Sequence, residues 1–263
     1  MSVGGLDRPG ALDLSPRPGA APFPRMVLAQ AAMEARLMLR NGEQLLLAVV
    51  IPVIVLVGGV TGARHIGLHF AHRPVDVFTP GVLALAVMST SFTSLAIATG
   101  FERRYGVIKR LGSSPLPRSG LLAGKVLALL LIEAMQIAVL VVVALILGWH
   151  PADGAVVAVL AIVLGTAAFA SLGLFVAGVL RAEATLAAAN LVYLLLLAAG
   201  AVVLPSSSYG AFGHVTAWLP SGALGDAMRA ACLHGDVAWR DLAVLLLWTA
   251  IGSVLTARTF RWE

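Results

Sequence analysis

Residues 45–63 read LLLAVVIPVIVLVGGVTGA, nineteen positions without a single charge. A helix rises 1.5 Å per residue, so a stretch of this length covers the ~30 Å hydrocarbon core of a bilayer. Pro52 removes one backbone donor from it, which neighbouring helices can compensate when the span is packed in a bundle. Gly58 and Gly62 stand four apart, but with 27 glycines in the chain such a pair carries little information.

Working outward, the same pattern recurs at about 77–100, 121–149, 155–180, 185–204 and 241–257. The composition agrees: 59% of residues are hydrophobic, 12% are charged, and the mean hydropathy is +0.94. A water-facing surface needs more polar side chains than that, so a soluble domain is excluded. The expected fold is all-α: a polytopic membrane protein of six transmembrane helices, with an N-terminal amphipathic interfacial helix and short re-entrant helices before the last span.

Residues 1–24 carry Pro9, Pro16, Pro18, Pro22 and Pro24 and no apolar core, which predicts a disordered cytoplasmic tail rather than a signal peptide. The transmembrane domain is expected over 25–263. Between Arg25 and Asn41, a helical wheel gathers Val27, Leu28, Ala31, Ala32, Ala35, Met38 and Leu39 on one arc, away from Gln30, Glu34, Arg36, Arg40 and Asn41. Such a helix suits the membrane interface. Pro80 is expected near the first turn of the second span, where a missing amide hydrogen is harmless. Arg258, Arg261 and Trp239 or Trp262 sit where membrane-edge anchors are expected.

Placing the N-terminus in the cytoplasm puts fourteen of the 18 lysines and arginines inside, leaving only Arg64, Arg73, Arg229 and Arg240 outside. That asymmetry predicts a multi-pass protein of the plasma membrane with both termini cytoplasmic.

The longest inner loop reads Phe101-Glu102-Arg103-Arg104-Tyr105-Gly106-Val107-Ile108-Lys109-Arg110-Leu111-Gly112-Ser113-Ser114-Pro115-Leu116-Pro117-Arg118, followed by Gly124-Lys125 and then Gln136. It resembles the signature of ABC-2 type permeases, the transmembrane subunits of drug-resistance and polysaccharide exporters. Glu102, Arg103, Gly106, Lys109, Leu111, Pro115, Leu116, Lys125 and Gln136 fall in register with that pattern. The sequence departs from it at Arg104-Tyr105-Gly106-Val107, where relatives commonly carry another charged residue and then Gly-Thr. A second match runs from Leu219-Pro220 through Asp226 and Arg229, where the family places short helices dipping into the outer leaflet. Asp226 and Arg229, three apart, are placed to pair on such a helix.

The resemblance implies a permease that exports its cargo with ATP hydrolysed on a separate ATP-binding cassette ATPase. Glu102, Arg103, Arg104, Tyr105, Gly106, Lys109 and Arg110 would form the ATPase-coupling segment, and Pro220, Asp226 and Arg229 the external re-entrant helix. The residues point the same way: no Gly-x-x-x-x-Gly-Lys-Ser/Thr phosphate cradle exists in the chain, so ATP and Mg belong on a partner and no cofactor is expected here. The bland alternative for the basic loop is contact with anionic lipid, at ~1 kcal/mol per basic residue.

Within the spans, Glu133 is the one acidic residue far from an end, and burying its charge costs at least ~2.5 kcal/mol unless it is paired or protonated. Gln136 is its nearest local partner. Glu133, Gln136, Ser91 and Ser94 are candidates for an intramembrane polar or substrate path. For the second span's hydroxyls at Ser89, Thr90, Ser91, Thr93, Ser94 and Thr99, packing and substrate lining both stay open.

Other chemistry is disfavoured. His65, His69 and His72 have helical spacing for a metal, but Gly67 and Pro74 argue against a helix there. Ser206, Ser207, Ser208 and His214 lack a hydrolase elbow. Cys232 stands alone, and no aromatic-interleaved basic stripe suggests nucleic acid. The expected partners are therefore the ATPase, a second permease copy or paralogue, and membrane lipids. The low charge of the spans suits a hydrophobic or lipid-like substrate or drug. The alternatives are an ATPase-independent secondary transporter, a membrane-embedded lipid-modifying enzyme and an assembly protein with no transport of its own.

Overall fold

The computed structural model describes residues 21–40, 42–66, 72–107 and 116–259, without the side chains of 43–47, 66 and 118. The expected tail therefore lies largely outside the described residues, as do Lys109, Arg110, His69, Arg261 and Trp262. Helices account for almost all of the described chain. They are α1 (Phe23–Arg40), α2 (Gly42–Ile66), α3 (Pro74–Met88), α4 (Leu95–Arg104), α5 (Arg118–Ile146), α6 (Ala155–Val179), α7 (Ala182–Ala199), α8 (Gly213–Thr216), α9 (Pro220–Arg229) and α10 (Trp239–Thr259). Six helical stretches are long and apolar enough to cross a membrane: α2, the continuous 74–104 rod, α5, α6, α7 and α10.

The 74–104 rod is the centre of the bundle. Its window is 72% buried, whereas each of the other five leaves most of its surface exposed. The rod starts three residues before the expected 77 because Pro74 takes the first helical position, where its missing N–H is harmless. The Arg73 guanidinium clamps Asp76 in that first turn through Nε (2.7 Å) and Nη2 (3.1 Å). Pro80 thus lies a full turn inside the helix rather than near its start.

Between α3 and α4 the rod widens into a π-helical turn, Ser89–Ser94, without breaking. A π turn inserts an extra residue and loosens the usual hydrogen-bond ladder. Close packing of α6 accommodates the bulge: a methyl on Gly173 would sit 2.8 Å from the Phe92 carbonyl oxygen. In α2 the close contact falls at Gly59, where an added Cβ would meet the Phe78 ring at 2.7 Å. Gly58 and Gly62 face open space and permit no close contact within the chain.

Two expectations need correction. The wheel of the first helix put its apolar arc as one unit, yet α1 buries Val27, Gln30, Glu34 and Ala35, while Leu28, Leu37 and Leu39 are exposed. A helix lying on a membrane protein presents its greasy side chains to lipid and can turn polar ones into the protein. The fifth span was expected to reach 204, but α7 ends at Ala199. Residues 200–204 are unwound although Ala201 and Val202 are fully buried. Ala201 adopts φ +54, a left-handed conformation that a residue with a Cβ takes only when its surroundings hold it.

Candidate functional site: the charged end, the buried carboxyl and the buried arginine

At one membrane face, the last turn of α4 meets α1, α5 and the α6–α7 turn. Lys125 of α5 donates from Nζ to both Glu102 oxygens, at 2.7 and 2.8 Å, and lies 3.3 Å from Glu34 Oε1. Gln30 donates to that same Glu34 oxygen at 2.9 Å. One ammonium thus sits between two carboxylates from different helices, all of it mostly withdrawn from solvent. Gly124 permits the approach, since a Cβ there would meet the Gln30 side chain at 2.6 Å. The interfacial helix is in this way bolted to the second and third spans.

Its neighbours divide by direction. Arg103 donates from Nη1 to the Ala177 carbonyl at the end of α6, and Arg104 pairs with Glu183 in the first turn of α7. Tyr105 is 64% exposed, stacks on Phe101 and lies under the Arg104 guanidinium. Gly106 has φ +67, the left-handed cap that ends a helix and that glycine adopts without a Cβ penalty. Of the expected coupling residues, Glu102, Arg103 and Arg104 therefore engage the chain itself, Tyr105 is turned outward and Gly106 is half-buried. Lys109 and Arg110 lie outside the described residues.

At mid-depth, Glu133 is 1% exposed and its Oε1 accepts from the Thr166 hydroxyl at 2.7 Å. Its Oε2 has no partner among the described residues. Ser91 stands beside it, but its hydroxyl makes no well-formed hydrogen bond. Glu133, Thr166 and Ser91 each fall near the middle of their span, so three helices meet here at one level. Gln136 is not the partner expected for Glu133. A residue three positions along a helix shares its face only approximately, and Gln136 instead accepts from Thr90 at 2.6 Å and donates to the Ala48 carbonyl. Ser94 is half-buried and hydrogen-bonds to neither. Thr166 escaped the sequence reading, whereas Thr90 was one of the second span's hydroxyls left open between packing and substrate lining. A lone threonine in the apolar 155–179 stretch was the available signal for the first.

Near the opposite face, Arg229 closes α9 and is 5% exposed. Its Nη2 donates to Asp226 Oδ1 at 2.8 Å, to Ala201 O at 3.0 Å and to Leu204 O at 3.1 Å. Its Nη1 reaches Val202 O at 3.1 Å and Val203 O at 3.2 Å. The guanidinium thus supplies the donors that the unwound 200–204 segment lost, which is why α7 can stop early inside a buried environment. Burial pulls the Arg229 guanidinium below its ordinary range, and Asp226 pulls it back up. Pro220 starts α9 at the first helical position. The pairing expected between Asp226 and Arg229 is present, with the larger part of the arginine's bonding directed to backbone.

Among the described residues, no group of three or more His, Cys, Asp or Glu is arranged for a metal. His72 packs edge-on against His234 at 5.5 Å, and exposed His65 has Nδ1 2.8 Å from the Thr61 carbonyl oxygen.

No curated protein matches the chain. The family model described as ABC-2 family transporter protein matches residues 75–258, from the start of the central rod to the last turn of α10. Proteins of that family are transport subunits that generally work with an ATP-binding cassette ATPase. With six apolar helices, a charged end that binds the spans together and most of its length matched, this chain belongs to the ABC-2 transporter family and is a multi-pass membrane permease of an ABC-type transporter.

Proposed function

We propose that the chain exports a hydrophobic or lipid-like substrate or drug across the plasma membrane, with both termini cytoplasmic and ATP and Mg bound by a separate ATPase. A second copy, or a paralogue, completes the translocation path, because six helices of which one is central leave little room for a cavity within a single chain. The carrying observation is the continuity of the 74–104 rod. Its last turn leads into the exposed Tyr105, and its middle is the π-helical segment beside Glu133.

A push on the 105–110 segment from an ATPase would act directly on the most buried helix of the bundle. The Glu102–Lys125–Glu34 bridge would carry the same displacement to α5 and α1. Rigid elements joined by buried ion pairs transmit motion in this way, as small shifts at one site become shear between packed helices. At the midplane, Glu133, Ser91 and Gln136 would line the path that opens.

The test is co-purification of the permease with a candidate ATP-binding cassette ATPase, and ATP hydrolysis by the reconstituted pair. Tyr105→Ala and Lys109→Glu/Arg110→Glu are the informative variants, because Glu102 and Arg103 also hold the fold. Weakened association with intact permease folding is expected. Wild-type association and wild-type hydrolysis in both variants would remove the coupling assignment.

A further inference from the structure

We propose that the pocket where the end of α4 meets the α6–α7 turn binds a phosphate group, carried by an anionic phospholipid or supplied as free phosphate. The pocket has a volume of about 320 Å³ and is lined by Gly100, Arg103, Arg104, Arg181, Ala182 and Glu183. That volume lies at the small end for ligand sites and suits a headgroup rather than a whole lipid. Three arginines face one carboxylate, so the lining carries an excess of positive charge.

The arginines are not consumed by each other's partners. Arg103 spends one Nη on the Ala177 carbonyl, yet its Nε is buried and has no acceptor. The Arg181 guanidinium makes no hydrogen bond or ion pair among the described residues, and Glu183 is claimed by Arg104. The exposed Arg181 guanidinium presents the fork of N–H donors that phosphate oxygens accept. The first turn of α7 adds to this. No side chain caps it, and the amides of Ala182, Glu183 and Ala184 have no carbonyl ahead of them in the helix.

The place also matches. The last turn of one span and the first turn of another both lie at headgroup depth. Exposed Val179 and Leu186, on either side of the pocket in sequence, offer an apolar surface along which an acyl chain can run. A soluble phosphate would use the same arginines without that surface.

The experiment uses the purified full-length permease without any ATPase, so its outcome is separate from that of the coupling test. Native mass spectrometry follows retention of phosphatidylglycerol against diacylglycerol of the same chains, with inorganic phosphate in a second arm as competitor and as sole ligand. Phosphatidylglycerol should be retained about tenfold better than diacylglycerol. Arg181→Gln, at an exposed position outside any internal contact, should reduce that preference about tenfold. Glu183→Gln removes the competing carboxylate and frees Arg104, so it should strengthen retention several-fold, which no loss of packing would do. Lipid retained against added phosphate identifies the headgroup as the source. Phosphate bound with no lipid preference identifies the free ion. Equal retention of both lipids with no phosphate binding, or indifference to both substitutions, overturns the proposal.

Discussion

Replacing Lys125 by methionine tests the coupling end most sharply, because the substitution keeps the length of the side chain and deletes only its charge. In the folded protein the ammonium stands 2.7 and 2.8 Å from Glu102 and 3.3 Å from Glu34, with its side chain only 11% exposed. Removing one partner of a buried pair costs about 3–5 kcal/mol, since the other charge stays behind without compensation. Here two carboxylates stay behind. Proton uptake bounds the damage, since neutralising an ordinary glutamate at pH 7 costs roughly 4 kcal/mol. Glu102 keeps some solvent contact, with a fifth of its side chain exposed, which lowers the cost. A loss of about 3 kcal/mol is therefore expected for Lys125→Met, or about 6–12 °C in the melting midpoint of a chain this size. The assay is thermal unfolding in detergent micelles, with Glu34→Gln/Glu102→Gln/Lys125→Met alongside. The triple variant should recover more than half of the loss, because it removes the stranded charges. A midpoint within 2 °C of wild type for Lys125→Met, or a triple variant as unstable as the single one, would refute the claim that this ion bridge holds α1, α4 and α5 together.

Arg229→Ala strips four carbonyls of their guanidinium donors and leaves Asp226 with only the Ser206 N–H, so it should destabilise by about 3–5 kcal/mol. Arg229→Lys should recover less than half of this, since an ammonium cannot fork to the same acceptors; unfolding in micelles measures both. Glu133→Gln keeps an acceptor for Thr166 and removes the need to bury a charge, so its midpoint should match or exceed wild type, whereas Glu133→Ala should cost about 2 kcal/mol or more; a strongly destabilised Glu133→Gln would show that a cation serves this carboxyl. Burial pushes the Cys232 thiol up to about 11, leaving about one thiolate per thousand at pH 8, so maleimide should label it only on unfolding; fast labelling of the folded permease would contradict that burial.

Much of the architecture was legible because hydropathy blocks and helix length are tied by the thickness of the bilayer. Six long apolar helices stand where the six apolar stretches of the sequence lie. Their ends were less accessible. Residues 200–204 are apolar and read as helix, but the arginine that supplies their hydrogen bonds lies 25 or more positions further on. Nor does any local pattern announce the π turn at 89–94, since its hydroxyl-rich residues would suit an ordinary helix as well. At the charged end of α4 the motif drew attention to Glu102, Arg103, Gly106 and Lys125. It could not say which of them turn inward, because that depends on α1 and α6 packing alongside.

The first helix shows why the direction of a face is the hardest thing to read. In water an apolar arc is buried, and Leu28, Ala32 and Leu39 would lie on the packed side. Here the surrounding medium is itself apolar, so burying leucine in protein gains little over leaving it in lipid. The polar residues have the stronger preference: Glu34 in hydrocarbon is expensive, and Glu34 against Lys125 is not. The same asymmetry puts Glu133 beside Thr166 and Arg229 against the carbonyls of 201–204. In each case a polar side chain on one helix marks the contact with another, so the few charges in this 12%-charged chain, not its many leucines, specify which faces of the spans meet.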